Sequence, residues 1–309
     1  MRPAWMRSCN LGAALSFPAR PCRIVSAGML AACCATGSAW SQSSGRGAAV
    51  ETEHMFGFTL GSDIGRPGEG EVELTNIGRF GRQADSYSVL STTAEYKYPL
   101  TGEFRVSGEA TVSYFGVSGA PALDDRSQVV FDNVALELDY RLLDRRKAAL
   151  GLTLIAAPFL AFANDASGAA ASRVGATFVV AADRELIPGT FAAINLVYGF
   201  DSGHELATGL VTDISGLGFQ VAASRRLFDW LYVGAEARYL RSYDGAGLNA
   251  LSGQAVYVGP VFLAPIAKGI ALSGAWSMQV WGQSAGDLAG LDLLNFERQQ
   301  ALLRLEIDF

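Results

Sequence analysis

Beyond residue 39 the chain has no cysteine, because Cys9, Cys22, Cys33 and Cys34 all precede that point. This excludes a disulfide framework and a Cys-based metal site from the remainder. Order there must come from hydrogen bonds and packing. Histidine is equally scarce, with only His54 and His204, and neither a metal-ligand spacing nor a Gly-rich phosphate loop occurs. No cofactor is expected. Basic residues are outnumbered, 24 against 30 acidic, which argues against nucleic acid as a partner. Long apolar runs are also missing. The best candidate, 148–163, is interrupted by Pro158 and bounded by Arg145-Arg146-Lys147 and Asn164-Asp165, so it falls short of the roughly 20 residues a membrane helix needs. If the chain crosses a membrane, it does so as a closed barrel, the other structure that satisfies every backbone group in lipid.

What is present begins with a leader. Residues 1–39 carry Arg2, Arg7, Arg20 and Arg23 but no acidic residue, then the apolar run 24–35 and the small residues Gly37-Ser38-Ala39. This is the pattern of an export signal cleaved near Ala39. Leu30-Ala31-Ala32-Cys33 offers an alternative lipoprotein cleavage that would leave Cys33 lipidated. Residues 40–68 read as a periplasmic lead-in or a lumen plug, and 69–309 as the barrel.

The last nine residues set the pattern for the barrel. Ala301, Leu303, Leu305, Ile307 and Phe309 alternate with Arg304, Glu306 and Asp308, so a strand here has one apolar and one ionic face. Strands of this kind are expected near 69–80, 87–98, 103–117, 129–143, 148–163, 173–186, 190–200, 212–227, 231–243, 250–264, 268–282 and 297–309, with tight turns and longer polar loops alternating between them. Twelve strands is an even count, and it puts both barrel ends on one side. Phe104, Val106, Val112 and Tyr114 oppose Arg105, Ser107, Glu109 and Thr111. Val134, Leu136, Leu138 and Tyr140 oppose Glu137, Asp139 and Arg141, and Val233, Ala235 and Tyr239 oppose Glu236 and Arg238. Aromatics near strand ends, Tyr96, Tyr98, Tyr114, Tyr140, Tyr198, Tyr239, Tyr257, Trp276 and Phe309, fit interfacial girdles.

The terminal strand ending on Phe309 resembles that of Gram-negative outer-membrane β-barrels, in which such an end is read by the barrel assembly machinery. A second resemblance lies in Phe56-Gly57-Phe58, the Pro67-Gly68 turn and Thr93-Ala94-Glu95-Tyr96-Lys97-Tyr98. These look like the start of an uncharacterised group of proteobacterial outer-membrane barrels related to outer-membrane transporters. The resemblance implies an all-β, antiparallel up-and-down transmembrane barrel in the cell outer membrane. Its expected surroundings are outer-membrane lipid and lipopolysaccharide.

The candidate lumen-lining residues are Glu95, Lys97, Arg105, Glu109, Glu137, Asp139, Arg141, Glu236, Arg238, Arg304 and Glu306. Two readings stay open. They are either a wet, charged ladder that selects a small solute or an internal salt-bridge network that closes the lumen. Gly151, Thr153, Ile155, Thr177, Val179, Ala181, Ser273 and Ala275 make another wall small and nearly neutral. Residues 54–63 could fold up into the lumen or add a strand at the rim. Asp124, Asp125 and Asp287 could bind a divalent cation loosely. A lipid-active enzyme would need a base within reach of a nucleophile, and Ser202 beside His204 is a weak candidate. The expected function is a passive channel or conduit for small solutes, not an enzyme. The alternative is a non-conducting structural or adhesion barrel.

Overall fold

A computed structural model describes residues 50–121, 123–285 and 290–309. The leader, its cleavage site and Asp287 lie outside these described residues. Twelve strands follow in order: β1 (Glu71–Phe80), β2 (Ser86–Pro99), β3 (Phe104–Ser118), β4 (Arg126–Leu143), β5 (Gly151–Ala163), β6 (Ala170–Ile187), β7 (Thr190–Glu205), β8 (Val211–Phe228), β9 (Leu231–Asp244), β10 (Ala250–Ala267), β11 (Ile270–Ser284) and β12 (Gln299–Asp308). Each strand pairs with its sequence neighbours, and β1 pairs antiparallel with β12, so the sheet closes on itself. Closure removes the unpaired edges.

The alternation read from sequence decides which face is which. Leu90, Phe131, Leu136, Leu160, Phe178 and Leu196 all point outward and stand about half exposed, while Arg105, Ser107, Asp139, Glu236 and Arg238 point inward and are buried. A barrel with this much apolar exterior needs a hydrocarbon solvent around it. The rim that carries Glu71 and Asp308 has the shortest connections, such as Pro188-Gly189 and Lys268-Gly269. It is called the lower rim below.

Four expectations need correction. Tyr257 is fully buried and faces the lumen, where its hydroxyl donates to the Glu297 carbonyl, so it is no girdle residue. β10 is apolar on both faces, which leaves no alternation to assign its sides. The loop expected at 201–211 shrinks to five residues, because β7 and β8 continue as a hairpin through Asp201–Glu205 and Val211–Asp213. β4 starts at Arg126 rather than 129, and it carries a bulge at Asp132 that turns this carboxylate inward to accept from Ser113 Oγ at 2.5 Å.

Candidate functional site: the closed lumen

Residues 50–64 fill the lower half of the lumen. The segment is compact in itself, with Gly61 N–H donating to the Glu53 carbonyl at 2.9 Å and Thr52 N–H to Asp63 Oδ2 at 3.0 Å. A Cβ at Gly61 would meet the Thr52 carbonyl at 2.2 Å, so only glycine lets the two arms approach. Gly57 has φ +77°, and a Cβ there would meet Ala275 Cβ at 2.7 Å and Val261 Cγ1 at 2.8 Å. This explains the aromatic-Gly-aromatic motif. Gly57 turns against the wall in a left-handed conformation and sends Phe56 and Phe58 to opposite sides. Phe56 joins Met55, Phe191, Tyr232 and Leu263 in one buried cluster, and Phe58 packs on Val261, Ala275 and Leu302.

One wall holds the plug through charge. Glu53 receives Arg105 Nη2 at 2.8 Å and Lys97 Nζ at 2.9 Å. Arg105 Nε also donates to Asp139 at 2.6 Å, Lys97 to Glu73 at 2.6 Å, and Arg304 Nε to Glu73 at 2.7 Å. All of these side chains are at least nine-tenths buried. Burial pushes the Glu53 carboxyl up, but Arg105, Lys97 and His54 together hold it well below its ordinary value of 4.5. His54, Glu71 and Glu73 bring potential ligand atoms within 4.8 Å of one another, the kind of set that can hold a divalent cation. The Lys97 ammonium already lies among them, 2.7 Å from His54, 3.3 Å from Glu71 and 2.6 Å from Glu73, so the cation's place is taken by a side chain.

The opposite wall holds the plug mainly by its backbone. Asn195 accepts from Leu60 N–H at 2.6 Å and donates to the Leu60 carbonyl at 2.9 Å. Glu236 accepts from the N–H groups of Phe58 and Thr59 at 3.1 and 3.2 Å. Asp183 accepts from Ser62 N–H, Thr153 donates to the Ser62 carbonyl, and Ser224 donates to the Met55 carbonyl. Arg238 sits 3.9 Å over the Phe58 ring. From the β4–β5 turn, Arg145 grips Asp63 at 2.8 Å.

The residues expected to line the lumen therefore divide. Lys97, Arg105, Asp139, Glu236, Arg238 and Arg304 are engaged by the plug or its direct partners. Arg141 instead reaches the Gly102 carbonyl at the lower rim. Glu306 accepts weakly from Ser273 at 3.3 Å, and Glu95 accepts from Ser107. Glu95, Glu109 and Glu137 face a hollow of about 240 Å³ above the plug. A second hollow of about 350 Å³ lies higher, against Phe159, Thr177, Val197, Gly199 and Leu240. It shares Asp201 and Ser242 with a basin of about 870 Å³ at the upper mouth. Between 290 and 298 the last loop dips inward, where Gln279 binds Asp292 N–H at 2.6 Å and Arg82 meets Glu297 at 3.3 Å. Ser202 Oγ donates to Asp213, not to His204, and Asp125 caps Gly119 N–H at 2.8 Å.

Sequence reasoning missed Arg145, Asp183 and Asn195 as plug partners, and the roles of Glu53 and Asp63 within the plug. Asn195 stands in an otherwise apolar strand stretch and Asp183 directly follows one, and a lone polar residue in such a place is the available signal.

The chain belongs to a family of unknown function (DUF6662), whose model matches residues 48–309. No curated protein matches it in sequence. Among solved structures, the COG4313 outer membrane channel from Pseudomonas putida F1 is similar at 14% identity and TM-score 0.51, covering 78% of this chain and 94% of that one. The β domain of the Bordetella autotransporter BrkA (13% identity, TM-score 0.47, 78% and 99% covered) and the NanC porin (10% identity, TM-score 0.45, 77% and 98% covered) are also similar. At these identities the likeness concerns the fold alone. The protein has the closed antiparallel fold of an outer-membrane β-barrel, and its lower rim, with its short turns and both barrel ends, corresponds to the periplasmic rim of such barrels.

Proposed function

We propose that this protein is a passive outer-membrane conduit for small solutes which its own amino-terminal segment holds shut. The observation that carries this reading is the succession of an upper basin, a nearly neutral hollow and an acidic hollow inside one barrel, all above a plug that is tethered to β1 by residues 65–70 and otherwise held by noncovalent contacts. A lumen meant only to be filled has no use for stacked hollows over a removable stopper. The mainly apolar lining of the 350 Å³ hollow, with Phe159, Val197, Leu240 and Phe296, suits an uncharged or partly apolar solute. The fold shared with an outer membrane channel is consistent with it.

The second reading, a non-conducting structural barrel, draws on the lumen being occupied from both ends, by residues 50–64 below and by the 290–298 loop above. Planar-bilayer recording separates the two. The full chain should show rare, small openings, and deletion of residues 50–64 should produce sustained ohmic steps. Silence from the deletion variant, with the barrel shown to be folded by heat-modifiable mobility, would favour the structural reading.

A further inference from the structure

The outer face of the barrel carries a charged polar feature that neither the plug nor the lumen explains. On β9, Arg241 shares the outward face with Tyr239, and the regular β8–β9 register sets it opposite outward Leu217. Across β10 it faces Gln254, which in turn faces Gln283 on β11. Tyr239 donates to Gln254 Oε1 at 2.5 Å, and Gln254 donates to Gln283 Oε1 at 3.3 Å. Three adjacent strands thus present a polar ladder to the lipid side, three residues below the upper end of β9. The row beneath it holds Tyr239, Val256 and Trp281, so the ladder stands at headgroup level above an aromatic girdle.

Arg241 is the charged member. Among the described residues no carboxylate pairs with it, and its Nε is buried without a hydrogen-bond partner. Its guanidinium lies 5.2 Å over the Tyr243 ring, which fixes its direction. The β9–β10 loop folds outward beside it, where Tyr198 donates to the Ala246 carbonyl at 2.6 Å and Ser215 donates to that of Gly245. From this point an apolar groove of about 790 Å³ runs down the outer wall between two hydrogen-bonded rows of side chains, Leu154, Leu196 and Phe219 on one side and Ala156, Phe178 and Leu217 on the other. The rows follow the pairing direction across tilted strands, so the groove descends from the outer leaflet into the hydrocarbon region.

We propose that this groove and Arg241 form a binding site for one phosphorylated, acylated glycolipid of the outer leaflet. An acyl chain lies along the groove, and the phosphate accepts from the free guanidinium, with Gln254 and Gln283 meeting its sugar hydroxyls. A guanidinium with an unspent donor suits a phosphate by charge and by its planar fork. An apolar groove ending in an anion alone, or a cation with no groove, would not select such a molecule.

The test is native mass spectrometry of the full chain with purified bis-phosphorylated lipid A, its dephosphorylated form, and phosphatidylglycerol. One lipid A should be retained, with the dephosphorylated form and the Arg241→Ala variant each binding roughly tenfold or more weakly. Arg241→Lys should recover part of that loss. Arg225→Ala, which removes an outward cation at the lower rim, should leave binding unchanged and serves as the folded control. Equal retention by Arg241→Ala would overturn the site. Equal, Arg241-dependent retention of phosphatidylglycerol would overturn its assignment to the glycolipid.

Discussion

The two walls that grip the plug do so by different physics. The β1–β4 and β12 wall offers Lys97, Arg105 and Arg304 to the plug's Glu53 and to Glu73. The β6–β9 wall offers Asn195, Asp183, Ser224 and Glu236 mostly to plug backbone groups. Buried ion pairs are costly to half-remove, since one partner's loss strands the other's charge. Hydrogen bonds to the plug backbone cost less to lose. The ion-paired wall is therefore the one that decides whether the plug stays, and the wall that binds its backbone sets where it sits.

The largest expected effect breaks the charged side. Glu53→Ala removes the anion that Arg105 and Lys97 share, and with it charge-assisted hydrogen bonds worth about 1.5–3 kcal/mol each, so it should cost about 3–5 kcal/mol of plug docking even though Asp139 and Glu73 still answer the two cations. Limited proteolysis of the amino-terminal segment in a folded barrel would report it. Unchanged protection would mean that the wall binding the plug backbone alone suffices. A comparison on the other side of the sheet comes next. Leu136→Arg, on the exposed outer face, should cost ~2–4 kcal/mol of barrel stability near the bilayer midplane, measured by denaturant unfolding from vesicles, while leaving the plug in place.

Asn195→Ala probes the wall that binds the plug backbone. It removes both side-chain bonds to Leu60 and should weaken docking by ~1–3 kcal/mol, with no dependence on pH. Glu53 supplies the contrast. Its carboxyl is held below its ordinary 4.5 when docked, so its contribution is fully present above that value and is lost as pH falls through the depressed one. Plug release, followed by protease sensitivity or by conductance, should therefore rise on acidification below about pH 4.5 in the native chain and in Asn195→Ala. The dependence on that range should be weaker in Glu53→Ala.

How much of this could be read in advance follows the same division. Strand number and facing were legible wherever one side of a strand was ionic, as in β3, β4 and β12, because period-two alternation reports facing directly. β10 gave no such contrast, and Tyr257 was misplaced for that reason. The plug segment stood out through Phe56-Gly57-Phe58, but its partners did not. Glu53 lies 44 residues from Lys97 and 52 from Arg105, and Leu60 lies 135 from Asn195. Local pattern carries no information about pairs brought together by barrel closure. The ionic ladder and a segment that could fill it, residues 54–63, were both legible, but which rungs the segment meets was not.

The smallest expected effect concerns the acidic hollow, and it sharpens the comparison within the charged wall itself. Glu95 and Glu109 stand directly opposite each other on β2 and β3, and like charges so placed repel. Glu109 has no hydrogen-bond or ion-pair partner among the described residues, unlike Glu53 and Glu73 a few residues lower. Glu109→Gln should therefore leave the barrel as stable as before or stabilise it by roughly 0.2–1 kcal/mol, read from denaturant unfolding in vesicles. Removing a carboxylate from the lower cluster has the opposite sign, because there each one answers a buried cation. In a barrel opened by deletion of residues 50–64, the same Glu109→Gln change should also lower cation preference, seen as a shift of reversal potential under a salt gradient. A clear loss of stability in Glu109→Gln would mean that this carboxylate has a buried cationic partner after all, and that the ion-pair lock extends past the plug into the hollow above it.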